Sequence, residues 1–350
     1  MSTILVTGAS GFIGSFIVSE GLRLGYEVWA GMRGTSSRAY LQDERIRFAE
    51  LDLSNPGRLE EQLQGYKAQL GGRGWDYVVH AAGATKCLRS EDFFRTNTEG
   101  TRYFINALRQ ADMVPRRFVF LSSLSVFGAV REEPVRRPTP DNPWIYSPIL
   151  LTDKPRPNTA YGRSKLQAEQ YLQAQPDFPF TILRPTGVYG PRERDYFLMA
   201  KSIAGHTDFA VGYKPQEITF VYMMDVVGAV YRCLDAPAAL GRAYFLSDGH
   251  VYNSRRFSDL LQQELGNPWV LRIKAPLWFL RIVCWLSGRI SRITGRMNAL
   301  NDDKYHILSQ RNWQCDIEPA RRDFGYDPQW TLEEGVRQSV RWYKENGWLG

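Results

Sequence analysis

The sequence predicts an α/β fold, a doubly wound parallel sheet with a smaller C-terminal unit interleaved with it. Three observations lead there. Short apolar runs rich in β-branched and aromatic residues alternate with helical patterns through the first half. These runs are continuously apolar rather than alternating, as strands covered on both faces are. The first run passes directly into a turn with three glycines that opens a helix. Repeated strand–helix units build one parallel sheet with helices on both sides.

Thr3-Ile4-Leu5-Val6 is the first strand and Gly14 to Leu24 the first helix, with Gly25 as its stop. Glu27-Val28-Trp29-Ala30 is the second strand. Ile46 to Leu51 leads to a helix at Leu59 to Leu70, and Trp75 to His80 to a helix around Thr98 to Gln110. Arg117 to Leu121 and Phe180 to Leu183 complete the series. Arg131 to Asn158 holds seven of the 19 prolines and reads as a long loop on the carboxyl edge, a lid or binding loop. Beyond Arg184 the expectation is a loop-rich stretch to Gln216, a strand at Ile218 to Met223 and a helix at Asp225 to Leu234. A strand at Ala243 to Leu246, a helical region and an amphipathic helix at Thr331 to Asn346 end the chain. The expected division is residues 1–184 plus about 216–247 for the sheet domain, and about 185–215 plus 248–350 for the second unit.

Composition narrows the classes. Of 350 residues, 43% are hydrophobic and 23% charged, which excludes global disorder. Lys and Arg number 44 against 37 Asp and Glu, a net +7. Cys87, Cys233, Cys284 and Cys315 lie far apart with no paired spacing, so neither a disulfide framework nor a metal site is expected. The first strand starts almost at Met1, leaving no room for a leader, and no apolar stretch is long enough to span a bilayer. A cytoplasmic protein is the expectation.

Thr7-Gly8-Ala9-Ser10-Gly11-Phe12-Ile13-Gly14 sits between the first strand and the first helix. Three glycines alone are a weak signal, but this position gives them meaning. Gly8 permits a tight turn, Gly11 lets backbone amides approach a pyrophosphate, and Gly14 allows close helix–sheet contact. The helix N-terminus then stabilises the anion. The turn, with Ser10, Phe12 and Ile13, is therefore read as a dinucleotide site. An acid after the second strand would bind a ribose 2′-hydroxyl, whereas basic residues accept a 2′-phosphate. Here Gly31-Met32-Arg33-Gly34-Thr35-Ser36-Ser37-Arg38 has no acid. Arg33, Ser37 and Arg38 either bind that phosphate or form a solvated basic turn; NADP(H) is favoured, with NAD(H) as the alternative.

Tyr161-Gly162-Arg163-Ser164-Lys165 puts a phenol and an ammonium one helical turn apart on one face. The strand ending at Leu121 delivers Ser122, Ser123 and Ser125 to the edge where open α/β sheets bind ligands. A nearby ammonium favours phenolate, so Tyr161 can exchange a proton with a carbonyl or hydroxyl oxygen that Ser123 also holds. Serines also cap turns, which is the plainer role.

Several segments occur in a fixed order: Thr7 to Gly14, Asp52-Leu53, His80-Ala81-Ala82-Gly83, Asn97-Thr98-Glu99-Gly100-Thr101, Leu121-Ser122-Ser123, Tyr161 to Lys165, and Arg184-Pro185-Thr186-Gly187-Val188-Tyr189-Gly190. Together they resemble the extended short-chain dehydrogenase/reductase family, also labelled NAD-dependent epimerase/dehydratase. The resemblance runs on to Leu332-Glu333-Glu334-Gly335 and Trp342 to Trp348. It implies an enzyme with a Rossmann-type fold, Asp52 and Leu53 flanking the adenine, and Ala81, Ala82 and Gly83 lining the cofactor. It places Leu121 along the cofactor, Pro185 and Val188 by the nicotinamide, and Lys165 on the nicotinamide ribose. Spacing from Val126-Phe127-Gly128 implies that Ser123, not Ser122 or Ser125, is the catalytic hydroxyl. A homodimer through the helices carrying the Asn97 and Tyr161 motifs is implied as well.

Within the family, nucleotide-sugar epimerases carry an Arg-Tyr-Phe-Asn-like segment where this chain has Arg184-Pro185-Thr186. They also carry Arg-Asp before a later motif that reads Phe220-Val221-Tyr222-Met223-Met224-Asp225 here. Both departures remove polar groups that a sugar diphosphate needs. The pattern is more similar to the 3β-hydroxysteroid dehydrogenase and dihydroflavonol-reductase-like branch. This implies reduction or oxidation of an apolar ketone or alcohol, of steroid, bile-acid-like or long-chain sphingoid type. The alternatives are a nucleotide-sugar epimerase or dehydratase with tightly held NAD, and a cofactor-sensing protein without chemistry.

From Leu265 to Asn301 there is no acid, while Arg272, Lys274, Arg281, Arg289, Arg292 and Arg296 give +6. Pro276 to Leu286 is strongly apolar yet too short to span a bilayer. Residues 272–296 are read either as an interfacial helix on anionic lipid or as a helix packed on the core with solvated arginines. Basic residues interleaved with apolar ones do not suggest nucleic acid as a partner.

Overall fold

The computed structural model describes residues 1–140, 142–175, 177–294 and 301–349. β1 (Thr3–Thr7), α1 (Phe12–Arg23) and β2 (Glu27–Met32) form the first unit. β3 (Arg47–Glu50), α2 (Pro56–Gln69) and β4 (Tyr77–His80) follow. α3 (Ser90–Phe93) continues through a π-helical segment, Phe94–Glu99, into α4 (Gly100–Gln110) and then β5 (Arg117–Leu121). α5 (Ala160–Gln173), β6 (Phe180–Pro185), β7 (Gly187–Tyr189), α6 (Arg194–Ala204) and β8 (Thr207–Val211) come next. β9 (Glu217–Ile218), β10 (Phe220–Tyr222), α7 (Met223–Leu234) and β11 (Arg242–Leu246) return to the sheet. The chain then forms β12 (Tyr252–Asn253), α8 (Arg256–Glu264), β13 (Leu271–Ala275), α9 (Leu277–Thr294) and α10 (Asp302–Ser309). β14 (Asn312–Trp313), α11 (Glu318–Phe324) and α12 (Leu332–Glu345) end it.

Seven strands make one parallel sheet in the order β11-β6-β5-β4-β1-β2-β3. The order reverses between β1 and β4, and ligands of doubly wound sheets bind outside the carboxyl ends at such a crevice. Both sheet faces are buried. Val6, Ile17, Val226 and Val230 belong to one apolar layer, and Leu5, Leu59, Phe104 and Leu172 to the other. A third core, around Tyr189, Phe220, Phe257 and Val336, holds the smaller unit together.

The structure corrects three readings. The stretch after Arg184 is not loop-rich, since it contains β7, α6 and β8. Its strands are only three to five residues long and pair outside the main sheet, too short for periodicity to reveal. The basic segment is not one helix: Arg272 and Lys274 lie on β13, paired in parallel with β8, and the helix starts only after Pro276. Arg296 and the side chain of Arg292 lie outside the described residues. Finally, no described residue of 131–158 lines either of the two clefts considered below. That loop is strapped to the smaller unit, with Asn312 Nδ2 donating to the carbonyls of Arg131 and Ser147.

Candidate active site

The glycine turn is packed so closely that side chains would force its backbone apart. Gly8 has φ +68°, and a Cβ there would lie 2.7 Å from the Ala82 nitrogen. A Cβ on Gly14 would lie 2.2 Å from the Gly8 carbonyl oxygen. The first turn of α1 therefore packs directly under the β1 turn, with Gly11 at its N-cap. Above it runs a trough of about 640 Å³, lined by Gly8, Ser10, Gly11, Phe12, Ile13 and Gly14 on one side. Ala81, Gly83, Leu121, Ser123, Tyr161, Lys165, Pro185 and Val188 line the rest.

Six expected residues stand outside that wall: Arg33, Ser37, Arg38, Asp52, Leu53 and Ala82 are not among its lining. Arg33, Ser37 and Arg38 are exposed on the turn after β2, with the Arg38 guanidinium 4.0 Å from the centre of the Phe48 ring. Asp52 is held by the Ser54 hydroxyl, 2.6 Å away, which lowers its pKa. Ala82 lies beneath the turn, its N–H donating to Thr7 Oγ1. Conversely, sequence reasoning missed Tyr40 and Arg192, which line the trough. The Arg192 guanidinium packs 4.1 Å from the Phe16 ring centre and 4.2 Å from that of Tyr40. Arg192 donates to Ser15 Oγ, while its buried Nε has no partner among the described residues. Its backbone, at φ +73°, carries no sequence signature that would have identified it.

β5 delivers the serines, and α5 delivers the phenol and ammonium. Ser123 caps the short 3₁₀ turn Leu124–Val126 and accepts from the Ser125 N–H. A Cβ on Gly162 would lie 2.4 Å from the Ser125 carbonyl oxygen, so glycine lets α5 approach that turn. The Tyr161 phenol and Ser123 then line the same trough, close enough for the Ser123 hydroxyl to favour the phenolate. Burial raises the phenol to about 12, against the lowering effect of that hydroxyl. Lys165 is buried, and this lowers its ammonium to about 7 despite the field of Glu169. Glu169 is itself tied to Arg184, Nη2 to Oε2 being 2.6 Å, which fixes α5 against β6.

Two further devices hold the site. Asn97, in the π-helical segment, donates to Ser164 Oγ and to the Ala84 carbonyl, and accepts from the Ala84 N–H. It thereby joins the loop after β4 to α5, and such π bulges recur at functional sites. The Asp303 carboxylate accepts from the Ala160 and Tyr161 N–H groups at 2.8 and 3.2 Å, capping α5 from the smaller unit. A second cleft, of about 590 Å³, adjoins the trough at Tyr161, Thr85, Lys86 and Asp195. Its other walls include Phe93, Cys284, Trp285, Gly288 and Arg289.

Comparison with known proteins matches this geometry. The model described as "NAD dependent epimerase/dehydratase family" matches residues 4–253. UDP-glucose 4-epimerase of Vibrio cholerae is 26% identical, covering 97% of this chain and 94% of its own. Sterol demethylase protein B of Methylococcus capsulatus is 27% identical, covering 99% and 100%. Among solved structures, the dTDP-glucose 4,6-dehydratase DesIV of Streptomyces venezuelae, with NAD and TYD bound, superposes with a TM-score of 0.75. It is 24% identical and covers 99% of this chain and 98% of its own.

Proposed function

This chain belongs to the NAD dependent epimerase/dehydratase family, and we propose that it is an NADPH-linked oxidoreductase interconverting a ketone and a secondary alcohol on a hydrophobic substrate. Steroid, bile-acid-like and long-chain sphingoid lipids are the substrate classes. The observation that carries this reading is the meeting of Ser123, Tyr161 and Lys165 on the wall of the glycine-cradled trough. That trough fits a pyridine dinucleotide, because Gly8, Gly11 and Gly14 bring bare backbone to its wall at the N-terminus of α1, and a Cβ on Gly8 or Gly14 would force that backbone apart. Gly8, Gly11 and Gly14 would hold the pyrophosphate, and Pro185 and Val188 the nicotinamide. When bound, the dinucleotide supplies the two-electron redox step.

The chain's own groups handle the proton. Tyr161, held protonated by burial, donates to the carbonyl oxygen in reduction and takes a proton back in oxidation. Ser123 hydrogen-bonds the same oxygen. Lys165 in its ammonium form favours the phenolate that remains. For the cofactor type, β2 ends at Met32 and runs into exposed Arg33, Ser37 and Arg38, which supports a 2′-phosphate. Glu50 lies against Gly34 but is paired with Arg58 at 2.8 Å.

The apolar substrate is supported by what Thr186 does. Its hydroxyl donates to the Thr219 carbonyl and its N–H to the Leu246 carbonyl, so it offers no free donor to a diphosphate. The named sterol enzyme among the relatives agrees with this reading. A second reading, a nucleotide-sugar epimerase or dehydratase retaining NAD, is favoured by the charged side chains of Lys86, Arg163 and Lys304 in the cleft beside Tyr161. Screening steroid, sphingoid and sugar-nucleotide substrates by NADPH absorbance separates the two. The expected result is turnover with an apolar ketone, abolished in Tyr161→Phe with NADPH binding intact. Copurified NAD with no net NADPH consumption selects the second reading, and preference for NAD(H) in turnover rejects the 2′-phosphate assignment. A homodimer through α4 and α5 is part of the proposal, checked by light scattering.

A further inference from the structure

α9 packs inward through Leu280 and Cys284, which are buried, and turns a broad apolar face outward. Trp278 is 66% exposed, Trp285 56% and Ile290 53%, with Phe279, Ile282 and Leu286 between them. These positions recur at helical spacing, so they form one stripe. The strand before the helix, β13, and its partner β8 also expose Leu271, Ile273 and Phe209, the last two being register partners on one sheet face. Six exposed side chains of this size along one helix face mark an interaction surface rather than ordinary scatter.

Charge selects the occupant. Arg281 and Arg289 are exposed on α9, and neither is paired with a carboxylate among the described residues. Arg289 instead covers the Trp285 ring at 4.7 Å, and Lys274 lies 5.2 Å from that of Tyr213. Arg272 is the exception, held by Asp259 at 3.0 Å. The acids that follow, Asp302 and Asp303, begin α10, where Asp303 is spent on α5 and Asp302 lies 3.8 Å from His306 Nε2 one turn along the same helix. A second copy on this face is disfavoured, because a two-fold contact sets each unpaired arginine against the same patch of its partner. Trp, Leu and Ile with unpaired Arg instead suit the headgroup–acyl boundary of an anionic bilayer. No helix among the described residues is long and apolar enough to cross one.

We propose that the outward face of α9 docks on an anionic lipid surface and holds the cleft beside Tyr161 against it. Trp285, Gly288 and Arg289 of the same helix form a wall of that cleft. An apolar substrate therefore passes from lipid to the phenol along the inner side of α9. The docking stands on the exposed face; the passage of substrate rests on the reading of a hydrophobic substrate above.

The test is vesicle pelleting of the full chain with phosphatidylglycerol–phosphatidylcholine and with phosphatidylcholine alone, at low and high salt. Binding to the anionic vesicles, weakened by salt, is expected. Trp278→Ser with Ile282→Ser should lower partitioning by about a hundredfold, because two inserted apolar side chains are lost. Arg281→Gln should lower it about fivefold. None of the three residues lines either cleft, so NADPH turnover of a water-soluble ketone should persist in both variants. Absence of wild-type binding overturns the proposal, as does binding that the double variant leaves unchanged. A double variant that changes from dimer to monomer, with no wild-type lipid binding, makes the face an interface between copies and also overturns it. Failure of ketone turnover with vesicle binding intact rejects the enzymatic reading and leaves the docking standing.

Discussion

Lys165 Nζ stands 4.0 Å from the centroid of the Phe120 ring. The cation is thus buried against the end of β5, and burial lowers its pKa to about 7. At pH 8 most of the free protein carries neutral Lys165. A bound dinucleotide brings negative charge and acceptor oxygens, which favour the ammonium and raise that pKa. The bound state then holds more protons than the free state above pH 7, so binding takes up protons from solution. Calorimetric titration of NADPH at pH 8, in two buffers of different ionisation enthalpy, should show uptake approaching one proton. Lys165→Met should remove it. Equal heats in both buffers for the wild-type protein would falsify the coupling.

The Glu169–Arg184 pair makes a separate prediction about stability. Glu169 is fully buried and Arg184 nearly so, with three N–H···O contacts between them. Removing one partner strands the other charge, which costs about 3–5 kcal/mol, whereas replacing both with apolar residues is often close to neutral. Glu169→Ala should lower the unfolding free energy read from urea denaturation by that amount, with a lower midpoint, and Glu169→Leu with Arg184→Leu should recover most of it. An undiminished midpoint in Glu169→Ala would show that the pair does not fasten α5 to β6.

Most of the sheet was legible because its strands are continuous apolar runs bounded by glycine, and Arg117–Leu121 coincides with β5. The glycine turn and the Tyr161–Lys165 spacing were legible for the same reason: each is a local pattern on one element. Arg192, Asn97 and Asp303 show where that limit falls. Each acts across the chain, Arg192 on Ser15, Asn97 on Ser164, and Asp303 on Ala160 and Tyr161. No local periodicity encodes such contacts. The Asn97 segment was quoted for its family resemblance, but its task of tying the loop after β4 to α5 emerges only in three dimensions. The basic segment was legible in charge but not in form, because Pro276 divides a strand from a helix within one apolar run.

Gly14 tests whether the cradle is for a ligand or merely for packing. A Cβ there would meet the Gly8 carbonyl at 2.2 Å, which pushes α1 away from the turn. Gly14→Ala should therefore weaken NADPH binding at least tenfold, read by nucleotide fluorescence. Gly25→Ala is the control for left-handed strain, since Gly25 has φ +83° and open space around it. It should cost about 1 kcal/mol of stability without altering NADPH affinity. Equal NADPH affinities in the two variants would reduce the turn to a packing feature.

Asp303 separates positioning of Tyr161 from binding of the cofactor. Its carboxylate caps two N–H groups of α5 from α10, and it lines the cleft but not the trough. An acid at a helix N-terminus also meets the positive end of the dipole. Losing such a cap costs about 0.5–2 kcal/mol. Asp303→Ala should lower the melting temperature by a few degrees and reduce kcat several-fold, with NADPH affinity unchanged. Asp303→Asn keeps an acceptor oxygen and should restore part of the turnover. A loss of NADPH affinity equal to the loss of kcat would mean that α10 supports the whole trough rather than the phenol alone.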